Sequence, residues 1–108
     1  RHPELAGKRY EDMWDYAFPG GGESMLDIAA RAGPALERLL ARHADQSVAL
    51  VAHNSVNRVL LGRALGLHPR QVFGFSQDFG CVNRVRYREA GPRVELLNWT
   101  PRAPDPGP

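Results

Sequence analysis

His53 follows directly on an unalternated apolar run, Val48-Ala49-Leu50-Val51-Ala52, and precedes Asn54 and Ser55, residue types that start helices. In α/β sheets ligands bind outside the carboxyl ends of strands, so a histidine between strand and helix lies at such a crevice. The first turn of a helix presents unbonded N–H groups and positive dipole character, worth roughly 0.3–1 kcal/mol per favourable charge to an anion. A phosphate suits that spot. Position alone leaves a second reading level with it, a structural histidine bonded to a neighbouring loop.

Other chemistry-bearing residues weigh less. Glu23 reads as a loop-organising residue rather than an acid. Arg58 stands five positions after His53 and reads as a structural ion-pair partner in preference to a phosphate ligand. Gln77, Asp78 and Cys81 precede the last strands, and Gln77 or the backbone beside it is the candidate for a substrate contact. Cys81 reads as a small buried hydrophobe. His43 and His68 sit near helix ends and receive no role. Ser55 as a hydrolase nucleophile fails, because no Gly-x-Ser-x-Gly elbow surrounds it. Arg84, Arg86 and Arg88 form a basic stripe without an adjacent stacking partner, which favours a solvated edge over a nucleic-acid face.

The elements that must position these residues are readable from pattern. Residues 1–16 read as a short polar helix, and Pro19 with the following glycines breaks the chain. Ser24 with Asp27 three positions on makes a capping-box variant at the head of an amphipathic helix over 24–43, kinked at Gly33-Pro34. The run at 48–52 predicts a strand covered on both faces, hence a parallel sheet. A helix capped by Asn54 or Ser55 follows and stops at Gly66 and Pro69. Residues 81–88 alternate, turn at Ala90-Gly91-Pro92 and return through 94–98 as a hairpin, with Glu95 able to pair across to an arginine. The last eight residues hold four prolines and read as a disordered tail.

Composition bounds the class. With 108 residues, 43% hydrophobic and 24% charged, the sequence fits one small globular domain. A net charge of +2 is too balanced for a nucleic-acid reader, and thirteen of the fourteen basic residues are arginine. No apolar run approaches the roughly 18–20 residues a membrane span needs. One cysteine excludes an internal disulfide and, with four scattered histidines, spaces no metal site. These features point to a soluble, cytoplasmic protein without nucleic-acid, membrane or metal partners; a homo-oligomer is left open.

Two blocks resemble the histidine phosphatase superfamily, the phosphoglycerate mutase-like group, on its fructose-2,6-bisphosphatase and α-ribazole phosphatase side. The first is Gly22-Glu23-Ser24-x-x-Asp27-x-x-x-Arg31-x-x-Pro34, which also accounts for the awkward proline. The second is residues 48–67, VALVAHNSVNRVLLGRALGL, similar to the family's strand, second pocket histidine and following helix. Residues 2–5, 15–19, 74–87 and 96–102 resemble the flanking and closing segments, so the likeness covers residues 2–100.

The resemblance implies an α/β, three-layer phosphoglycerate mutase-like fold, truncated at its N-terminus and closed by a C-terminal β-hairpin. Residues 1–100 would be the C-terminal portion of a histidine phosphatase domain and 101–108 the tail. It implies a phosphomonoester hydrolase working through a phosphohistidine, without metal or cofactor, on a phosphorylated small molecule. His53 maps to the second pocket histidine, a donor that stabilises phosphoryl charge and is not the nucleophile. Asn54 stands where many members have glycine, and its backbone N–H would approach phosphate. Arg1-His2 does not fit the family's Arg-His-Gly nucleophile segment, because Pro3 replaces the glycine and no strand precedes it. The expected chain therefore lacks nucleophile and general acid and is inactive alone. The alternative is a non-catalytic relative acting in binding or assembly.

Overall fold

The computed structural model describes residues 14–16 and 22–101. The polar helix expected over 1–16 lies largely outside these residues, as does nearly all of the tail.

Helix α1 spans Met25–Arg42. It starts where the sequence says it must. The Ser24 side chain accepts from the Asp27 N–H and the Asp27 carboxylate accepts from the Ser24 N–H, each at 3.0 Å, satisfying two donors that a helix start otherwise leaves open. The Trp14 carbonyl takes a third, from Met25, at 2.8 Å. Pro34 lies inside the helix, where an interior proline costs about 3 kcal/mol. The helix nevertheless continues through it, held by a buried stripe of Met25, Ile28, Ala32 and Leu36.

Helix α2 spans Asn54–Leu65 and ends on Gly66, whose φ of 75° is a left-handed conformation that glycine adopts without penalty. Val59 of α2 packs with Met25, Ile28 and Ala32 of α1 and with Val72 to form the core, flanked by Trp14, Phe73 and Phe75. The approach is close at Gly62, where a Cβ would meet Val72 Cγ1 at 2.7 Å. A short 3-10 turn at Pro69–Gln71 carries the chain from α2 back across α1.

The hairpin is present as expected. Strand β1 spans Val82–Arg88 and β2 Gly91–Trp99, antiparallel, with Arg88 opposite Gly91 and Arg84 opposite Leu96. Glu95 bonds Arg86 at 2.9 Å, the cross-strand pair the sequence allowed. Strand β2 lies against α2.

The buried parallel strand at 48–52 is not present. These residues form no regular element, and Val48, Leu50 and Val51 are 47%, 53% and 96% exposed. The physical reason is pairing: a strand's N–H and C=O groups need a neighbouring strand. The two strands among the described residues are spent on each other. Of the α/β arrangement expected, the described residues show two packed helices, a 3-10 turn and one antiparallel hairpin.

Candidate functional site around His53

His53 itself caps α2, in place of Asn54 or Ser55. Its backbone is extended, at φ −80° and ψ 165°, and its carbonyl accepts the first helical bond, from Asn57, at 3.0 Å. Its side chain makes no capping bond and is exposed. The imidazole is thus free to face a ligand beside the first-turn amides of α2, which point out of the helix end.

Asn54, one residue on, is held at both ends of its side chain. Its Nδ2 donates to the Gln77 carbonyl at 2.8 Å, and its Oδ1 accepts from Arg58 Nε at 2.8 Å. What Asn54 can offer an anion is therefore its backbone N–H. Asn57 adds a weaker tie from Nδ2 to the Ala52 carbonyl, at 3.4 Å.

Gln77 is buried and its amide is fully occupied. Its Nε2 donates to Asn83 Oδ1 at 2.8 Å, while its Oε1 accepts from Asn83 Nδ2 at 2.8 Å and from the Cys81 thiol at 3.3 Å. The pair continues outward. Asn83 Oδ1 also accepts from the Asn98 N–H at 2.8 Å, and the Asn98 side chain accepts from the Asp78 N–H and donates to the Asp78 carboxylate. Asn98 has a φ of 57°, a left-handed conformation that asparagine tolerates better than most residues. A ladder of side-chain amides thereby runs from the hairpin to the head of α2, with the Gln77 carbonyl as its last rung.

Arg58 is not the ion-pair partner the sequence favoured: no carboxylate among the described residues pairs with it. Its Nη1 donates to the carbonyls of Val72, at 2.9 Å, and Phe75, and its guanidinium lies 5.3 and 5.7 Å from the Phe73 and Phe75 ring centroids. Glu23 does organise its loop. It binds Arg31 through both carboxylate oxygens, at 2.9 and 3.1 Å, and that hydrogen bond raises the Arg31 pKa.

The structure therefore joins Asn54, the residue after His53, to Gln77, 23 residues further along the chain. The Asn83, Asn98 and Arg58 contributions escape sequence reading, although Asn54 and Arg58 stand at the i, i+4 spacing that brings side chains together on a helix. A cavity of about 270 Å³ between α1, α2 and the 3-10 turn has neither His53 nor Asn54 in its lining. Among the described residues no cluster of three or more His, Cys, Asp or Glu could hold a metal, and no helix is long and apolar enough to cross a membrane.

The family model of the histidine phosphatase superfamily (branch 1) matches residues 1–100. The chain belongs to that superfamily. It is similar to the adenosylcobalamin/alpha-ribazole phosphatase of Escherichia coli, 26% identical over 89 residues, which are 79% of this chain and 42% of that protein. It is also similar to a metal-independent phosphoserine phosphatase of Arabidopsis thaliana, 33% identical over 60 residues, covering 56% of this chain and 25% of the relative. Among solved structures, a mutant phosphoserine phosphatase from Entamoeba histolytica in complex with phosphoserine superposes with a TM-score of 0.68 at 17% identity. That match covers 88% of this chain and 51% of the solved one. The chain spans about half the length, or less, of the proteins it matches. For this member of the superfamily, the superposition shows a shared fold.

Proposed function

We propose that this histidine phosphatase chain contributes the charge-stabilising side of a phosphomonoesterase site, with His53 as its catalytic donor. In this reading residues 1–100 are the C-terminal portion of the domain. A histidine outside residues 1–100 attacks phosphorus, the ester P–O bond breaks, and an acid protonates the leaving oxygen. Water then attacks phosphorus, the N–P bond breaks, and inorganic phosphate leaves with the nucleophilic histidine restored. His53 donates an N–H to the phosphoryl oxygens as charge gathers on them, and the backbone N–H of Asn54 approaches the same oxygens. Gln77 acts at one remove, through the carbonyl that holds Asn54.

The observation that carries the reading is the free imidazole of His53 at the N-cap of α2, next to a residue whose side chain is tied back. The substrate class is a small phosphorylated molecule, as the names of the alpha-ribazole and phosphoserine phosphatases indicate for those relatives. A cytoplasmic location accords with the single cysteine.

Two measurements test this. The chain alone is expected to show no turnover of p-nitrophenyl phosphate; turnover abolished by His2→Ala would place the nucleophile at His2 and refute the division of labour. In a form that carries the nucleophile, His53→Ala is expected to lower kcat by about a hundredfold or more, the scale for losing one preorganised donor. A folded variant that keeps its kcat and loses only affinity would make His53 a binder instead.

A further inference from the structure

We propose that Arg58 is the positioning residue of this site, a crosslink that fixes the first turn of α2 against residues 72–77 without itself touching the ligand. The inference rests on the reading that phosphate is received beside His53.

Three observations carry it. Arg58 spans two pieces of chain: its Nε holds Asn54 Oδ1 while its Nη1 holds the carbonyls of Val72 and Phe75. Three of the five guanidinium donors are committed in this way. The Phe73 and Phe75 rings lie close to the same guanidinium, at 5.3 and 5.7 Å, which locks its orientation. Asn54 then passes the constraint on, because its other side-chain end bonds the Gln77 carbonyl, the end of the amide ladder from the hairpin.

The bonded partners are neutral, and that matters. A buried ion pair would serve to neutralise a charge, whereas a guanidinium bonded to two carbonyls and an amide serves to set distances. The planar fork is what allows one side chain to bond along the helix and across to the loop together. A lysine ammonium keeps the charge but cannot hold all three acceptors in the same geometry.

The test uses the 15N-labelled full chain and inorganic phosphate, following the amides of Asn54, Ser55 and Val56 by NMR. Wild-type protein is expected to show saturable shifts. Arg58→Lys is expected to stay folded by its thermal midpoint while binding phosphate about tenfold more weakly, the scale of one or two lost hydrogen bonds. The Gln77 amide should shift in that variant before phosphate is added. Asn54→Leu removes the middle link while leaving the Arg58 bonds to the Val72 and Phe75 carbonyls available, and in that background Arg58→Lys should cost little more, a non-additive cycle. Arg70→Lys, on the exposed 3-10 turn, serves as the control and should bind as wild type. Unchanged phosphate affinity in folded Arg58→Lys, or costs that add fully in the double variant, would overturn the inference while leaving the phosphate site standing. Wild-type protein whose first-turn amides ignore phosphate would overturn the proposed function and this inference with it.

Discussion

Residues 48–52 and residues 53–58 are neighbours in the chain and opposites in how they are held. The first segment is apolar, unpaired and exposed, with Val51 almost wholly in solvent. The second is polar, and its Asn54 and Arg58 side chains close bonds to chain 14 to 23 residues away. Hydrogen-bonding side chains find their partners one at a time, so a single well-placed carbonyl satisfies them. A strand is satisfied only by another strand along its whole length. Apolar character thus marks the segment that needs a whole neighbouring strand, and polar character the segment that single carbonyls elsewhere in the chain can satisfy.

The largest effect on this contrast should come from cutting the amide ladder. Gln77→Leu keeps the volume but strands the Asn83 amide in a poorly hydrated site, and should destabilise by about 1–3 kcal/mol, read from the denaturant midpoint. A cost below about 0.5 kcal/mol would mean that the ladder does not hold the loop.

A middle-sized effect belongs to the hairpin edge. The hydrogen bond from Arg86 chiefly, with Arg84 and Arg93 nearby, lowers the Glu95 pKa below the ordinary carboxylate range. Because the folded value lies below the unfolded value near 4.3, the contribution is complete above that pH and is lost as pH falls through the folded value. Acid titration of stability should therefore show a loss below about pH 4 that Glu95→Gln reduces. The Arg86 side chain is well exposed and that of Glu95 partly so, so high salt should shrink it as well.

The smallest effect should be at the open segment. Val51→Lys is expected to change stability by no more than about 0.5 kcal/mol, since its side chain touches little. A larger loss would show that the run is covered in solution, and the contrast between the two segments would disappear.

Much of the fold was legible because its determinants are local. Ser24 and Asp27 are three residues apart, and the cap they form is the one the sequence implies. Glu95 meets an arginine because hairpin geometry brings diagonal cross-strand neighbours within reach of long side chains. His53 was identified at the mouth of α2 from the residues on either side of it, although it, rather than Asn54 or Ser55, is the capping residue. The strand expected at 48–52 is absent because an apolar run specifies what a segment would bury and not whether a partner is at hand. The charge of Arg58 suggests an acidic partner where its bonds go to backbone carbonyls, and the amide contacts of Asn83 with Gln77 and Asn98 follow no period that a sequence displays.

The ladder from Asn98 through Asn83 and Gln77 to Asn54 is built almost entirely from side-chain amides and backbone carbonyls, groups that neither gain nor lose protons in water near neutrality. Dipoles at contact distance are also little affected by dissolved ions, unlike the exposed pairs on the hairpin. The walls beside His53 therefore keep one shape across the acidity and ionic strength that a cell experiences. Changes in those conditions act on the charge of whatever enters, and the frame that receives it stays as it was.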